Sequence, residues 1–286
     1  MIPEARVPSR QRLLCFTGLG LGAAPMWLVR VLFVLAVNAV PVYGVYYRGW
    51  SASTVVGLYW AENLLIAVFT CARITLHRAL TRKRGHWRAG QLGTKVNDKP
   101  STQGLLGEYA TMAFVFTAAH GLFVGAFIGM GGSNHSDDVH WQFSRDQFVY
   151  GVEWIAAMLA LEFAFDAFTI RRRSFAWLKA YVGQRMGRVL VMHFVIIIGM
   201  FAMMATDSPF AVLYVLIGIK TLWDLAAGGK AEAAQALPAE PPRWAESLAD
   251  SVAKKGGGAG AMRAEWERAR AAQIAAARED EEVMPA

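Results

Sequence analysis

Only two cysteines, Cys15 and Cys71, occur in 286 residues, so no disulfide framework is available. Both fall toward the side that the loop charges mark as cytoplasmic, where thiols stay free. Charge is scarce as well. Asp, Glu, Lys and Arg make up 18% of the chain, against about a quarter in ordinary soluble domains. The familiar catalytic signatures are missing. There is no P-loop or dinucleotide fingerprint, and no HExxH, CxxC or CxxCH. The serines that follow Trp50 stand at a helix entry without a flanking glycine pair, which excludes a nucleophile elbow. No matched pair of broken apolar segments marks an inverted-repeat transporter.

What the chain has instead is apolar length. It is 55% hydrophobic, and six segments can each cross a ~30 Å hydrocarbon core at 1.5 Å per residue. They are residues 26–46, 53–75, 105–130, 147–169, 188–206 and 208–226. This pattern predicts an all-α membrane protein built as a six-helix transmembrane bundle. The connections set its orientation. Residues 76–104 carry Arg78, Arg82, Lys83, Arg84, Arg88, Lys95 and Lys99, and 170–187 carry Arg171, Arg172, Arg173, Lys179 and Arg185. The alternate connections are short or acidic, so both termini are expected to be cytoplasmic. The same placement accounts for the net charge of +7 without nucleic acid; the partner is the lipid bilayer. Trp50 and Trp141 are expected at the outer interface, Trp27 and Trp223 at the inner one.

Residues 1–25, with Arg6, Arg10 and Arg12, read as a cytoplasmic or interfacial lead-in rather than a cleaved signal. Residues 227–286 change character. Pro238, Pro241 and Pro242 open a polar stretch, Gly256 to Gly258 make a joint, and a helix rich in Ala, Arg and Glu is expected near 261–280. Met262, Trp266 and Ile274 give that helix a thin apolar stripe, suited to a membrane surface or a cytoplasmic partner. Its composition fits a solvated, partly disordered tail better.

Polar residues inside the spans are the candidates for function, because a carboxylate at mid-bilayer costs at least ~2.5 kcal/mol and needs a partner. An outer group contains Glu62, Asn63, His120 and Glu153. Its residue types suit proton exchange or a metal ion held by His120 and Glu62. An inner group contains Glu162, Asp166, Arg188, His193, Lys220 and Asp224. Glu162 and Asp166, four apart, stack on one helix face and call for cations, which Arg188 and Lys220 are placed to supply. This group reads as an ionic clamp or as a polar vestibule. Bis-histidine haem is disfavoured, since His120 lies about 22 Å and His193 about 8 Å from the inner surface. His135 and His140 beside Asp137 and Asp138 read as a solvated loop. Gly121, Gly125 and Gly129 line one helix face, where another helix or a second copy of the chain can approach closely.

Several of these residues fall into a recognisable set. Gly49-Trp50, Tyr59-Trp60-Ala61-Glu62-Asn63, His120, and Arg188 through His193 to Lys220-Thr221-Leu222-Trp223-Asp224 resemble an uncharacterised family of bacterial multi-pass membrane proteins, a domain of unknown function. The YWxEN element is its most specific part, and the likeness covers about residues 26–226. It implies an integral membrane protein and carries no known activity. Three readings remain open: a transporter or ion-coupled channel using Glu62 and His120, an intramembrane metal-dependent or redox enzyme, and a non-catalytic scaffold subunit.

Overall fold

Helix boundaries follow local chemistry more than hydropathy. The computed structural model describes residues 23–93, 95–96, 99–100, 103–134, 142–206, 209–228, 240–242, 247, 251 and 258–285. Among them are seven α-helices: α1 Ala23–Arg48, α2 Ala52–Thr81, α3 Leu105–Asn134, α4 Arg145–Ile170, α5 Phe175–Thr206, α6 Pro209–Gly228 and α7 Gly258–Glu281. Between α2 and α3 lie a single 3-10 turn, Arg84–His86, and a minimal antiparallel pair of strands, Lys95–Val96 and Lys99–Pro100. Among the described residues, four helical segments are long and apolar enough to cross a membrane: Val31–Arg48, Ala52–Thr81, Leu105–Ala126 and Arg145–Ile170. Large apolar side chains such as Leu122, Phe168 and Phe201 face outward, as in a bundle whose surroundings are lipid.

α2 begins at Ser51, whose Oγ accepts the Thr54 amide at 3.2 Å, a normal N-cap. It ends at Arg82, which takes the left-handed conformation at φ 50° and returns its amide to the Arg78 carbonyl. The helix thus continues two turns beyond the limit set by apolar content. The fifth helix departs further. It starts at Phe175 instead of 188, with Ser174 Oγ accepting the Trp177 amide at 3.1 Å. Lys179 and Arg185 lower the hydropathy of this stretch, but both are good helix formers and do not interrupt it.

α2 is the central helix; it packs on α1, α3, α4, α5 and α6. Its start is tied to α4 by the Ser144 amide donating to Thr54 Oγ1 at 3.0 Å. Trp50, expected at an interface, is instead 2% exposed. Its indole lies against Gly44 and Gly151, where a Cβ would come within 3 Å of the ring. The tight α1–α2 turn, with Gly49 at φ 62°, folds it inward. Trp27, Trp141, Cys15, His135, His140, Asp137 and Asp138 fall outside the described side chains.

Candidate functional site

Buried residues of α2 recur at Tyr59, Glu62, Ile66, Thr70, Arg73 and His77. Steps of three and four keep them on one face. All but Ile66 are polar, and the series runs about 27 Å along the axis. The other helices supply partners at three levels.

At the first level Glu62, 1% exposed, meets two cations. Arg188 Nη2 of α5 lies 2.6 Å from Glu62 Oε1 and Lys220 Nζ of α6 lies 3.1 Å from it. Asp224, one turn beyond Lys220, takes the same two cations, at 3.3 Å from Lys220 Nζ and 3.4 Å from Arg188 Nε. Asn38 of α1 closes the ring. Its Oδ1 accepts from Lys220, and its amide donates to Asp224 Oδ2 at 3.4 Å. Two acids and two bases balance, as burial in a low dielectric requires. Lys220 also stands 5.4 Å from the Tyr59 ring centroid.

At the second level Arg73 Nε reaches Asp166 Oδ2 at 2.8 Å, and Arg73 Nη2 lies 3.9 Å from Glu162. Arg185 Nη2 contacts the same Glu162 oxygen at 3.2 Å. Tyr181 receives both guanidinium groups over its ring, at 5.4 Å for Arg73 and 4.8 Å for Arg185. A cavity of about 80 Å³ borders both levels, lined by Asn38, Glu62, Asp224 and Arg188 on one side and Glu162 and Arg185 on the other. Two further donors on its wall, the Gln184 amide nitrogen and the Trp223 indole N–H, meet no acceptor among the described residues.

At the third level, where α2 ends, His77 Nε2 donates to the Arg173 carbonyl at 3.2 Å. Its Nδ1 is 2.7 Å from His86 Nε2, so with His77 Nε2 donating to the carbonyl, His86 Nε2–H is the donor between the two rings. Burial, followed by the neighbouring His77, Arg78 and Lys83, pushes His86 down to about 3.

The structure therefore redistributes the expected groups. Glu62 leaves the outer group and joins Arg188, Lys220 and Asp224. Glu162 and Asp166 take Arg73 and Arg185 as counterions, because Arg188 turns toward α2 and α6. Asn63 and His120 stay together, lining a small cavity of about 20 Å³ with Tyr59, Trp60 and Thr117; Glu62 is not on its wall. His120 Nδ1 donates to the Phe116 carbonyl at 3.0 Å. Gly121 makes room for the Trp60 indole, which donates to the Thr117 carbonyl at 2.9 Å, whereas a Cβ on Gly125 or Gly129 would meet nothing within 4 Å. Glu153 is exposed on α4. His193 lies on α5, with its side chain outside the described set. Among the described residues no three His, Cys, Asp or Glu converge as a metal group would need. Sequence reasoning missed Asn38, Arg73 and the His77–His86 pair. Arg73 carried a usable signal, since eleven residues from Glu62 is close to three turns and puts both on one face.

Comparison with known proteins adds a family and little else. Residues 26–241 match the model of a family described as "Family of unknown function (DUF6498)". No curated protein and no solved structure matches the chain. The match takes in α1 to α6, every level of the polar face and the 3-10 turn that carries His86, and it ends before α7. With most of its length covered in this way, the chain belongs to the Family of unknown function (DUF6498).

Proposed function

We propose that this is a six-span protein of the bacterial inner membrane, with both termini cytoplasmic, that moves protons or a small ion along the buried face of α2. Support for the orientation comes from the basic residues. Those of 82–88 and 171–173 gather at the end of the bundle where α2 and α4 finish and α5 begins, as the excess of cytoplasmic Lys and Arg predicts.

The observation that carries the transport reading is the double pairing of the first level. Arg188 and Lys220 each contact both Glu62 and Asp224. A proton passed from Lys220 to Glu62 therefore leaves Arg188 paired with Asp224, so the buried cluster stays neutral through the transfer. The cavity shared with Glu162 and Arg185 offers the next station toward the cytoplasm. His120 and Asn63, across Tyr59, stand on the outer approach. A polar interior of this sort is expensive in a membrane, and function is the usual reason for keeping one.

The test is proton flux into proteoliposomes loaded with a pH-sensitive dye and driven by a potassium diffusion potential. The wild-type protein is expected to conduct, and Glu62→Gln to lose most of the flux while the protein stays folded. Equal flux in the two proteins would sink the reading. A second reading rests on the completeness of the pairing: the clusters act as an ionic clamp inside a non-catalytic membrane subunit. It expects no flux from wild type and a lowered unfolding temperature in Glu62→Gln.

A further inference from the structure

The end of the chain is held by the most basic loop of the protein. Glu281, at the last turn of α7, spans two elements. Its Oε1 accepts the Ala176 amide in the first turn of α5 at 3.1 Å, and its other oxygen pairs with Lys83. Arg84 lies 3.6 Å from Glu279 and 3.1 Å from Glu282, and Arg88 lies 3.4 Å from Glu279 and 3.0 Å from Asp280. Gln91 donates to the same Asp280 oxygen at 3.0 Å. Backbone pairing finishes the contact: Arg84 donates its amide to the Glu282 carbonyl at 2.7 Å, and Met284 donates to the Arg82 carbonyl at 2.9 Å.

The donors around Glu281 form an oxyanion site. One is a backbone N–H at a helix N-terminus, where the dipole favours negative charge, and the other is a lysine ammonium. The same set would hold a phosphate oxygen equally well. A cavity of about 630 Å³ opens beside it, between the start of α5 and α7. Its lining includes Phe175, Ala176 and Lys179 on one wall and Ile274, Ala277 and Glu281 on the other. Lys179 there supplies one more cation beside an incoming headgroup, and the apolar residues suit the upper acyl chain of a lipid. All of this lies at the end of α2 and the beginning of α5, where the topology proposed above places the cytoplasmic membrane surface.

We propose that the site filled by Glu281 is a binding site for the phosphate of an anionic phospholipid headgroup, and that the acidic run Glu279–Glu282 is a built-in competitor for it. In a membrane poor in anionic lipid the tail stays docked. As the anionic fraction rises, headgroup phosphates take Ala176 N–H, Lys83 and Lys179, and the tail lets go.

Hydrogen exchange on the full chain in vesicles reads the exchange directly, through the Met284 amide that the docked tail protects. Three preparations at equal ionic strength are compared: phosphatidylcholine alone, phosphatidylcholine with phosphatidylglycerol, and phosphatidylcholine with added inorganic phosphate. Exchange at Met284 is expected to accelerate about tenfold in the anionic vesicles alone, the order expected when several near-surface Lys and Arg gain anionic lipid. Lys179→Gln, which leaves the tail contacts intact, should blunt that response, and Glu281→Gln should shift it to a lower anionic fraction. Exchange that is the same in neutral and anionic vesicles overturns the proposal. Equal acceleration by inorganic phosphate overturns the lipid assignment. Neither result bears on ion flux through the bundle, so the transport reading stands or falls separately.

Discussion

Over an apolar 18-residue stretch of each, helices α2 and α4 have the same mean hydropathy, yet 56% of the α2 stretch is buried inside the protein and only 17% of the α4 stretch. Hydropathy measures the transfer of a whole segment into lipid and is blind to which face meets lipid and which meets protein. The distinction lies in where the polar groups fall. α2 carries them at helical steps from Tyr59 to His77 and is enclosed by five neighbours. α4 offers Glu162 and Asp166 to α2 and turns Leu161, Phe165 and Phe168 outward. One helix is the polar axis of the bundle and the other is a wall.

The sharpest way to break this comparison is to remove a charge from the axis. Arg73→Ala leaves Asp166 buried without its 2.8 Å partner, and the expected loss is about 3–5 kcal/mol. The double change Arg73→Met with Asp166→Leu should restore most of it, since an apolar pair of similar volume fills the space without an uncompensated ion. Thermal unfolding in detergent micelles measures both. If Arg73→Ala costs no more than Phe168→Ala on the outer face of α4, the axis is not the stabilising centre of the bundle.

A milder test uses one chemistry on two helices. Leu58 of α2 is 1% exposed and Leu161 of α4 is 48% exposed. Leu58→Ala should cost about 1–3 kcal/mol, chiefly as lost packing, because lipid would solvate an exposed leucine as well as the protein does. Leu161→Ala should stay within about 0.5 kcal/mol, as surface changes usually do. Similar losses at the two positions would mean that α4 is covered by a partner, and gel filtration with light scattering would then show an oligomer.

How far the sequence reveals this arrangement depends on the kind of information asked of it. Apolar runs are local, so the helices could be read within a turn or two wherever apolar content alone set the ends. The reading failed at α5, where thirteen helical residues too polar to count as a span precede the apolar run, and at Trp50, where a glycine-lined turn folds an interface residue into the core. The candidate residues Glu62, Arg188, Lys220 and Asp224 were visible as charges out of place. Their pairing was not, since depth along an axis leaves the rotation of each helix free. Glu62 was assigned to His120 by depth, but rotation turns it toward α5 and α6 and leaves Asn63 facing His120. Asn38 was hidden because one amide in an apolar helix has many ordinary explanations. The His77–His86 contact joins a helix end to a loop turn, and no periodicity marks such a meeting.

That contact gives the smallest expected effect, at the point where the two compared helices end together. His77 of α2 bonds the Arg173 carbonyl just past the end of α4, and His86 bonds His77. The fold holds His86 near 3, below its ordinary value of 6.5, by burying it among His77, Arg78, Lys83, Trp87 and Phe175. A depressed histidine favours the fold in its neutral form. Its contribution is complete above about 6.5 and declines as the pH falls toward 3, because the unfolded chain takes up the proton first. Between pH 8 and pH 6 the loss should stay under about 1 kcal/mol. It should show as faster hydrogen exchange in residues 82–91 with little change at Glu62. His86→Phe should flatten the pH dependence, since the ring contacts survive and the titrating group does not. A slope that persists in His86→Phe would move the titration to another group and detach this junction from the pH response of the bundle.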